Sequence, residues 1–94
     1  MKTRVSLAPE DSRHESVLDV FCEDRIGALY TIARVFSEQG ATISLAKIST
    51  QGHQVADGFY VTDAATGDKI DDKARLERLV HALRTALREE EDLR

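Results

Sequence analysis

From Ser16 to Arg88 the spacing of apolar residues changes period three times, from about 2 residues to about 3.6, back to 2 and again to 3.6, which is the signature of strand, helix, strands and helix in turn. Ser16 to Cys22 reads Ser-Val-Leu-Asp-Val-Phe-Cys, with Leu18 and Val20 on one face of a strand and Val17, Asp19 and Phe21 on the other. Ile26, Leu29, Ile32, Ala33 and Phe36 then recur at helical spacing and predict a helix over Ile26 to Gln39, stopped by Gly40. Ala41 to Thr50 and Gln54 to Asp63 return to β-type composition around a Gln51-Gly52-His53 turn, which predicts a hairpin. A turn at Ala64 to Asp68 leads to Asp71 or Asp72, either of them a suitable cap for a last helix, Lys73 to Arg88. The stripe of that helix is Leu76, Leu79, Val80, Leu83 and Leu87. Leu29, Ile32, Phe36, Leu76, Leu79 and Leu83 are expected in the core.

Ahead of these elements, Thr3 to Ala8 alternates, with Val5 and Leu7 on one side, and reads as an edge strand; Pro9 to Glu15 reads as a loop. After them, Glu89 to Asp92 places like charges at the negative end of the helix dipole, where the helix is expected to fray. The order is therefore ββαββα. With its first strand moved to the end it becomes the ferredoxin-like split βαβ plan, an α+β fold with a four-stranded antiparallel sheet and two helices on one face. Its 94 residues suffice for one small domain. That domain takes residues 1–94, with its core in 16–87, the N-terminal strand at 3–8 and a charged tail at 89–94.

A net charge of −4 argues against a phosphate-backbone binder, so no nucleic acid is expected. No apolar run approaches the ~20 residues of a membrane span, so no membrane partner is expected, and no apolar signal segment follows Met1. The single cysteine, Cys22, excludes an internal disulfide and a Cys-x-x-Cys site, which fits a reducing, cytoplasmic setting. The strand around Val55 to Val61 is apolar on both faces apart from Asp57, so a second copy covering the other face or the sheet edge is expected, giving a homodimer.

The residues for catalysis are missing. His14, His53 and His81 fall on a loop, a turn and a helix and read as solvated histidines. Cys22 reads as a small buried residue rather than a reactive thiol. No His, Cys or carboxylate cluster has metal-ligand spacing, and no cofactor motif appears. No catalytic residue, metal or cofactor is therefore expected, and this chain is not read as an enzyme.

One stretch invites a ligand. Asp24-Arg25-Ile26-Gly27 sits where the first long strand hands over to the first helix. A helix start offers unpartnered N–H groups and a positive dipole end, and a glycine lets an anion approach them. The ordinary reading, Asp24 as a cap and Gly27 as a tolerated glycine, is the stronger one on local chemistry alone. On the ligand reading, Gly27→Val blocks a carboxylate at a cost to the fold of only a few tenths of a kcal/mol.

A second stretch, Val55-Ala56-Asp57-Gly58-Phe59-Tyr60-Val61-Thr62-Asp63, in the right place relative to the first, shifts that balance. Asp24-Arg25-x-Gly27-x-Leu29-Tyr30 after a strand resembles the Asp-Arg-Pro-Gly-Leu-Leu signature of ACT domains, ferredoxin-like regulatory modules that commonly bind amino acids. Ala46-Lys47-Ile48-Ser49-Thr50, a Gly-containing turn, Phe59-Tyr60-Val61-Thr62-Asp63, and then Lys69-Ile70-Asp71 before Ala74-Arg75-Leu76 are similar to the C-terminal ACT repeat of bacterial PII uridylyltransferases. There, as at Thr3 to Ala8, an N-terminal strand supplies the fourth sheet position. The resemblance implies an amino-acid ligand, glutamine the first candidate, and allosteric control of an attached or partner enzyme. It places the ligand at Asp24, Arg25, Ile26, Gly27, Ala28, Thr42 and Ile43, with the carboxylate at the N–H groups of Ile26 to Ala28. Asp24 caps the helix or meets the ligand's ammonium group, and Arg25 faces solvent or a partner. Ile26 stands where the family has proline, and Thr42 where it often has an asparagine facing the ligand. A module that dimerises without a ligand is the alternative.

Overall fold

The computed structural model describes residues 3–7, 15–23, 27–51 and 54–92. Its elements are β1 (Arg4–Leu7), β2 (Ser16–Glu23), α1 (Ala28–Glu38), β3 (Ala41–Gln51), β4 (Gln54–Asp63) and α2 (Lys73–Asp92). The strands form one antiparallel sheet in the order β1-β2-β4-β3, so β2 and β4 are central while β1 and β3 are the edges. The ββαββα reading and the N-terminal strand as the fourth sheet position are both met.

The strand alternation turns Leu18, Val20 and Cys22 of β2 and Phe59 and Val61 of β4 toward the helices, all at most 2% exposed. Val5 of β1 joins them, and the ring of Phe36 from α1 tilts against Phe59 with centroids 5.7 Å apart. From α2, Leu79, Leu83 and Leu87 close the layer. Asp57 lies on this same face, buried between Val20 and Ile48 in the register. Leu7, expected inside with Val5, is 44% exposed at the end of its edge strand.

The first helix is rotated from the expected stripe. Its buried residues are Ala28, Thr31, Ile32, Val35 and Phe36, and Leu29 and Ala33 face outward, Leu29 at 50% exposure. Ile32 and Phe36 belong to both stripes, so the period alone does not decide between them. Burial settles it, taking Ala28, Thr31 and Val35 inward in place of Leu29 and Ala33. Leu76, also expected in the core, is only half-buried.

The caps explain the boundaries. Asp72 accepts bonds at its side-chain oxygen from the N–H groups of Ala74 at 3.0 Å and Arg75 at 3.4 Å, the N-cap geometry expected for it. At the other end α2 continues helically to Asp92, through the acidic run where fraying was expected. The C-terminus of α1 is held from outside. Arg75, in the first turn of α2, donates to the Gly40 carbonyl at 2.9 Å and forms an ion pair with Asp63 at the end of β4. A cation there also meets the negative end of the α1 dipole. The Arg75 hydrogen bond, helped by the backbone N–H groups of Thr66 and Ala65, holds the Asp63 carboxyl down to about 2 from its ordinary 3.8.

Candidate functional site

The helix α1 starts two residues later than expected. Gly27 is its N-cap, in a left-handed conformation with φ 100° and ψ −19°, and the first intrahelical bond runs from the Thr31 N–H to the Gly27 carbonyl at 2.9 Å. The N–H groups that precede this bond belong to Ala28, Leu29 and Tyr30, so an anion at this terminus meets 28–30 rather than 26–28. The cap expected of Asp24 is corrected as well, since the N-cap position is filled three residues later by a glycine. Asp24, Arg25 and Ile26 themselves lie outside the described residues. Ala28 is buried, so its methyl group packs inward and only its backbone is offered to a ligand.

Thr42 and Ile43 lie elsewhere. Thr42 is exposed and pairs with Thr62; Ile43 is half-buried and pairs with Val61. The last residue of β2, Glu23, pairs with Gln54 at the opposite end of β4. Gln54 and Thr62 are eight residues apart on one strand. At ~3.3 Å per residue that is about 26 Å, several times the length of an amino acid. Within one chain the two halves of the expected site therefore stand at opposite ends of the sheet.

Several large apolar side chains are exposed in this region. Tyr30 is 73% exposed beside Leu29 at the start of α1, and on the edge strand β3 Leu45 is 48% and Ile48 53% exposed. Ile48 stands at the same end of the sheet as the α1 N-terminus, paired with Asp57 and through it with Val20. Leu45 and Ile48 are functional candidates that sequence reasoning did not single out. They lie three apart, on opposite faces of a strand, and a β-bulge between Ile43 and Leu45 sets which face each takes.

Cys22 is buried at 1% exposure, His81 is exposed on α2, and His14 and His53 lie outside the described residues. Among the described residues no group of three His, Cys, Asp or Glu gathers in a way that would hold a metal ion. No described helix is long and apolar enough to cross a membrane.

With this geometry in place, comparison with known proteins is decisive for the family. The model of the ACT domain matches residues 16–80, from the first residue of β2 into the middle of α2. The chain belongs to the ACT domain family. Among curated relatives, the bifunctional uridylyltransferase/uridylyl-removing enzyme of Rhodospirillum rubrum is 36% identical over 84 residues, 89% of this chain and 9% of that enzyme. The enzyme of the same description from Bordetella pertussis is 40% identical over 62 residues, covering 66% of this chain and 7% of the relative. An ACT domain-containing protein of Arabidopsis thaliana, ACR6, is 45% identical over 56 residues, 60% of this chain and 13% of the relative. The ACT domain thus spans less than a tenth of the length of the bacterial enzymes it matches. A protein of unknown function from Galdieria sulphuraria, solved by crystallography, superposes with a TM-score of 0.59 at 22% identity, over 79% of this chain and 39% of that one, a likeness of fold.

Proposed function

We propose that this ACT domain is a regulatory module that binds an amino acid between two copies of itself, with glutamine the first candidate, and controls an attached or partner enzyme of the uridylyltransferase/uridylyl-removing type. One observation carries the reading. The two halves of the candidate site lie toward opposite ends of β3, and β3 is an edge strand with Leu45 exposed on one face and Ile48 on the other. Two copies paired antiparallel along β3 about a two-fold axis bring the Thr42-Ile43 end of one against the α1 start of the other. Each ligand then touches both copies. Its carboxylate takes the N–H groups that follow Gly27, with Asp24, Arg25 and Ile26 around it. The hydroxyl of the second copy's Thr42 and the backbone at Ile43 take the remaining polar atoms. A ligand held across two copies favours one mutual arrangement over others, and that difference is what an attached enzyme reads.

The relatives supply the partner class: the bacterial enzymes carry the matched segment within chains more than ten times its length. The second reading, a module that dimerises without ligand, is favoured by Thr42, whose single hydroxyl replaces an amide donor and acceptor. Calorimetry with sedimentation separates the two. Glutamine is expected to release heat with a stoichiometry of one per chain and to tighten the dimer. A dimer that shows no heat with any of the twenty amino acids, before or after Thr42→Asn, leaves the ligand-free module standing. A monomer at every concentration removes the shared site.

A further inference from the structure

A cavity of about 290 Å³ lies on the side of the sheet away from β3, between β1 and the last turns of α2. Arg4, Arg84 and Arg88 line it together with Phe21. Two of the three guanidinium groups are held in place. Arg84 donates from Nη2 to the Val5 carbonyl at 2.6 Å, and the Arg4 guanidinium stands over the Phe21 ring, 5.0 Å from its centroid. Arg84 and Arg88, four residues apart on α2, share one face of the helix, where like charges repel. Neither the Arg34–Glu38 nor the Arg75–Asp63 ion pair involves any of the three.

The chain carries a net charge of −4, yet the described residues lining this hollow include three cations and no carboxylate. A hollow lined by one sign of charge focuses the field and concentrates counter-ions. The guanidinium fork fits the oxygen pairs of phosphoryl and carboxylate groups, and Arg84 keeps donors beyond the one spent on Val5. A singly charged ion would leave two of the three cations uncompensated.

We propose that this cavity is a second binding site, for a small multiply charged oxyanion, separate from the amino-acid site at the start of α1. The bound anion would join β1 to the end of α2, so that the N-terminal strand and the last helix are latched by the ligand. Phosphoryl groups and dicarboxylates share the required chemistry. The experiment therefore has two arms, thermal unfolding of the full chain with inorganic pyrophosphate and with malonate, each against potassium chloride of equal ionic strength. The effective anion is expected to raise Tm by about 5–10 °C at tenfold over its Kd. Amide chemical-shift changes in the wild-type chain should centre on Val5, Phe21 and Arg84. Arg4→Gln and Arg88→Gln should each weaken binding about tenfold, read as the ligand-induced shift against each variant's own ligand-free Tm, with the glutamine response unchanged. The proposal is overturned if neither anion exceeds the chloride control, if the shift survives in the Arg4→Gln/Arg88→Gln double variant, or if the amide changes map elsewhere. Loss of the glutamine response with the anion response intact would count against the amino-acid reading alone.

Discussion

Replacing glycine by alanine at two positions should change stability in opposite directions. Gly27 has φ 100°, a region where an L-residue brings its Cβ against the following carbonyl at a cost of roughly 1–2 kcal/mol. Alanine also restricts the unfolded chain, which offsets about 0.4–1 kcal/mol of this. The net expectation is a loss of about 1 kcal/mol. Gly58 is in the middle of the central strand β4 and is not among the glycines with positive φ. A Cβ built there meets the Asp19 carboxylate oxygen at 3.6 Å, an ordinary contact. Alanine is favoured over glycine in a strand interior by about 0.5–1 kcal/mol, so Gly58→Ala should stabilise. The two variants should differ by roughly 1.5–2 kcal/mol, about 10 °C in Tm for a domain of this size. Urea unfolding followed by far-UV circular dichroism reads both, with the m-value unchanged. Shifts of the same sign, or a neutral Gly27→Ala, would refute the assignment of the α1 start to a left-handed glycine.

Three further outcomes are expected. Leu79→Ala should cost about 2–5 kcal/mol because Leu79 is fully enclosed, and Leu29→Ala well under ~1 kcal/mol because Leu29 is half exposed; urea midpoints compare them directly. The Asp63 carboxyl is depressed in the folded chain, so its stabilising effect is complete above its unfolded value near 3.8 and is lost as pH falls toward about 2; Asp63→Asn should flatten the acid limb of the stability curve in that window. Ile48→Lys should weaken self-association roughly tenfold to thirtyfold, because covering the exposed half of an isoleucine is worth ~1 kcal/mol in each copy, and sedimentation equilibrium measures the change with the monomer fold intact.

The architecture was legible because each element carried its own local signal. Asp72 capped the helix it was expected to cap, Gly40 followed the end of α1, and Leu79, Leu83 and Leu87 made the stripe that their spacing announced. The phase of α1 was not legible. Leu29 is more apolar than Ala28 or Thr31, yet the helix turns those two inward and Leu29 outward, and that phase is a tertiary property. Gly27 was read as an opening for a carboxylate. Its backbone conformation gives it an independent structural duty, so the Gly27→Val substitution expected to leave the fold intact would instead force a β-branched residue to positive φ. The candidate residues named by resemblance were in sequence order, and order conceals that the start of α1 and the start of β3 stand at opposite ends of the sheet. Arg75, which joins two helices and a strand, had no sequence signal beyond its position in a first helical turn.

The two edges of the sheet are unequal, and this limits how large an assembly can grow. β3 offers eleven residues of uncovered strand, whereas β1 is four residues long and has the Val5 carbonyl already occupied by Arg84. A sheet that met its neighbours through unlike edges would extend without end, as fibres do. If two copies pair through β3 as proposed above, the resulting pair presents a short β1 with its Val5 carbonyl occupied on either side. On the proposed pairing, growth through the sheet is expected to end at two copies, with no route to filaments along the strand edges.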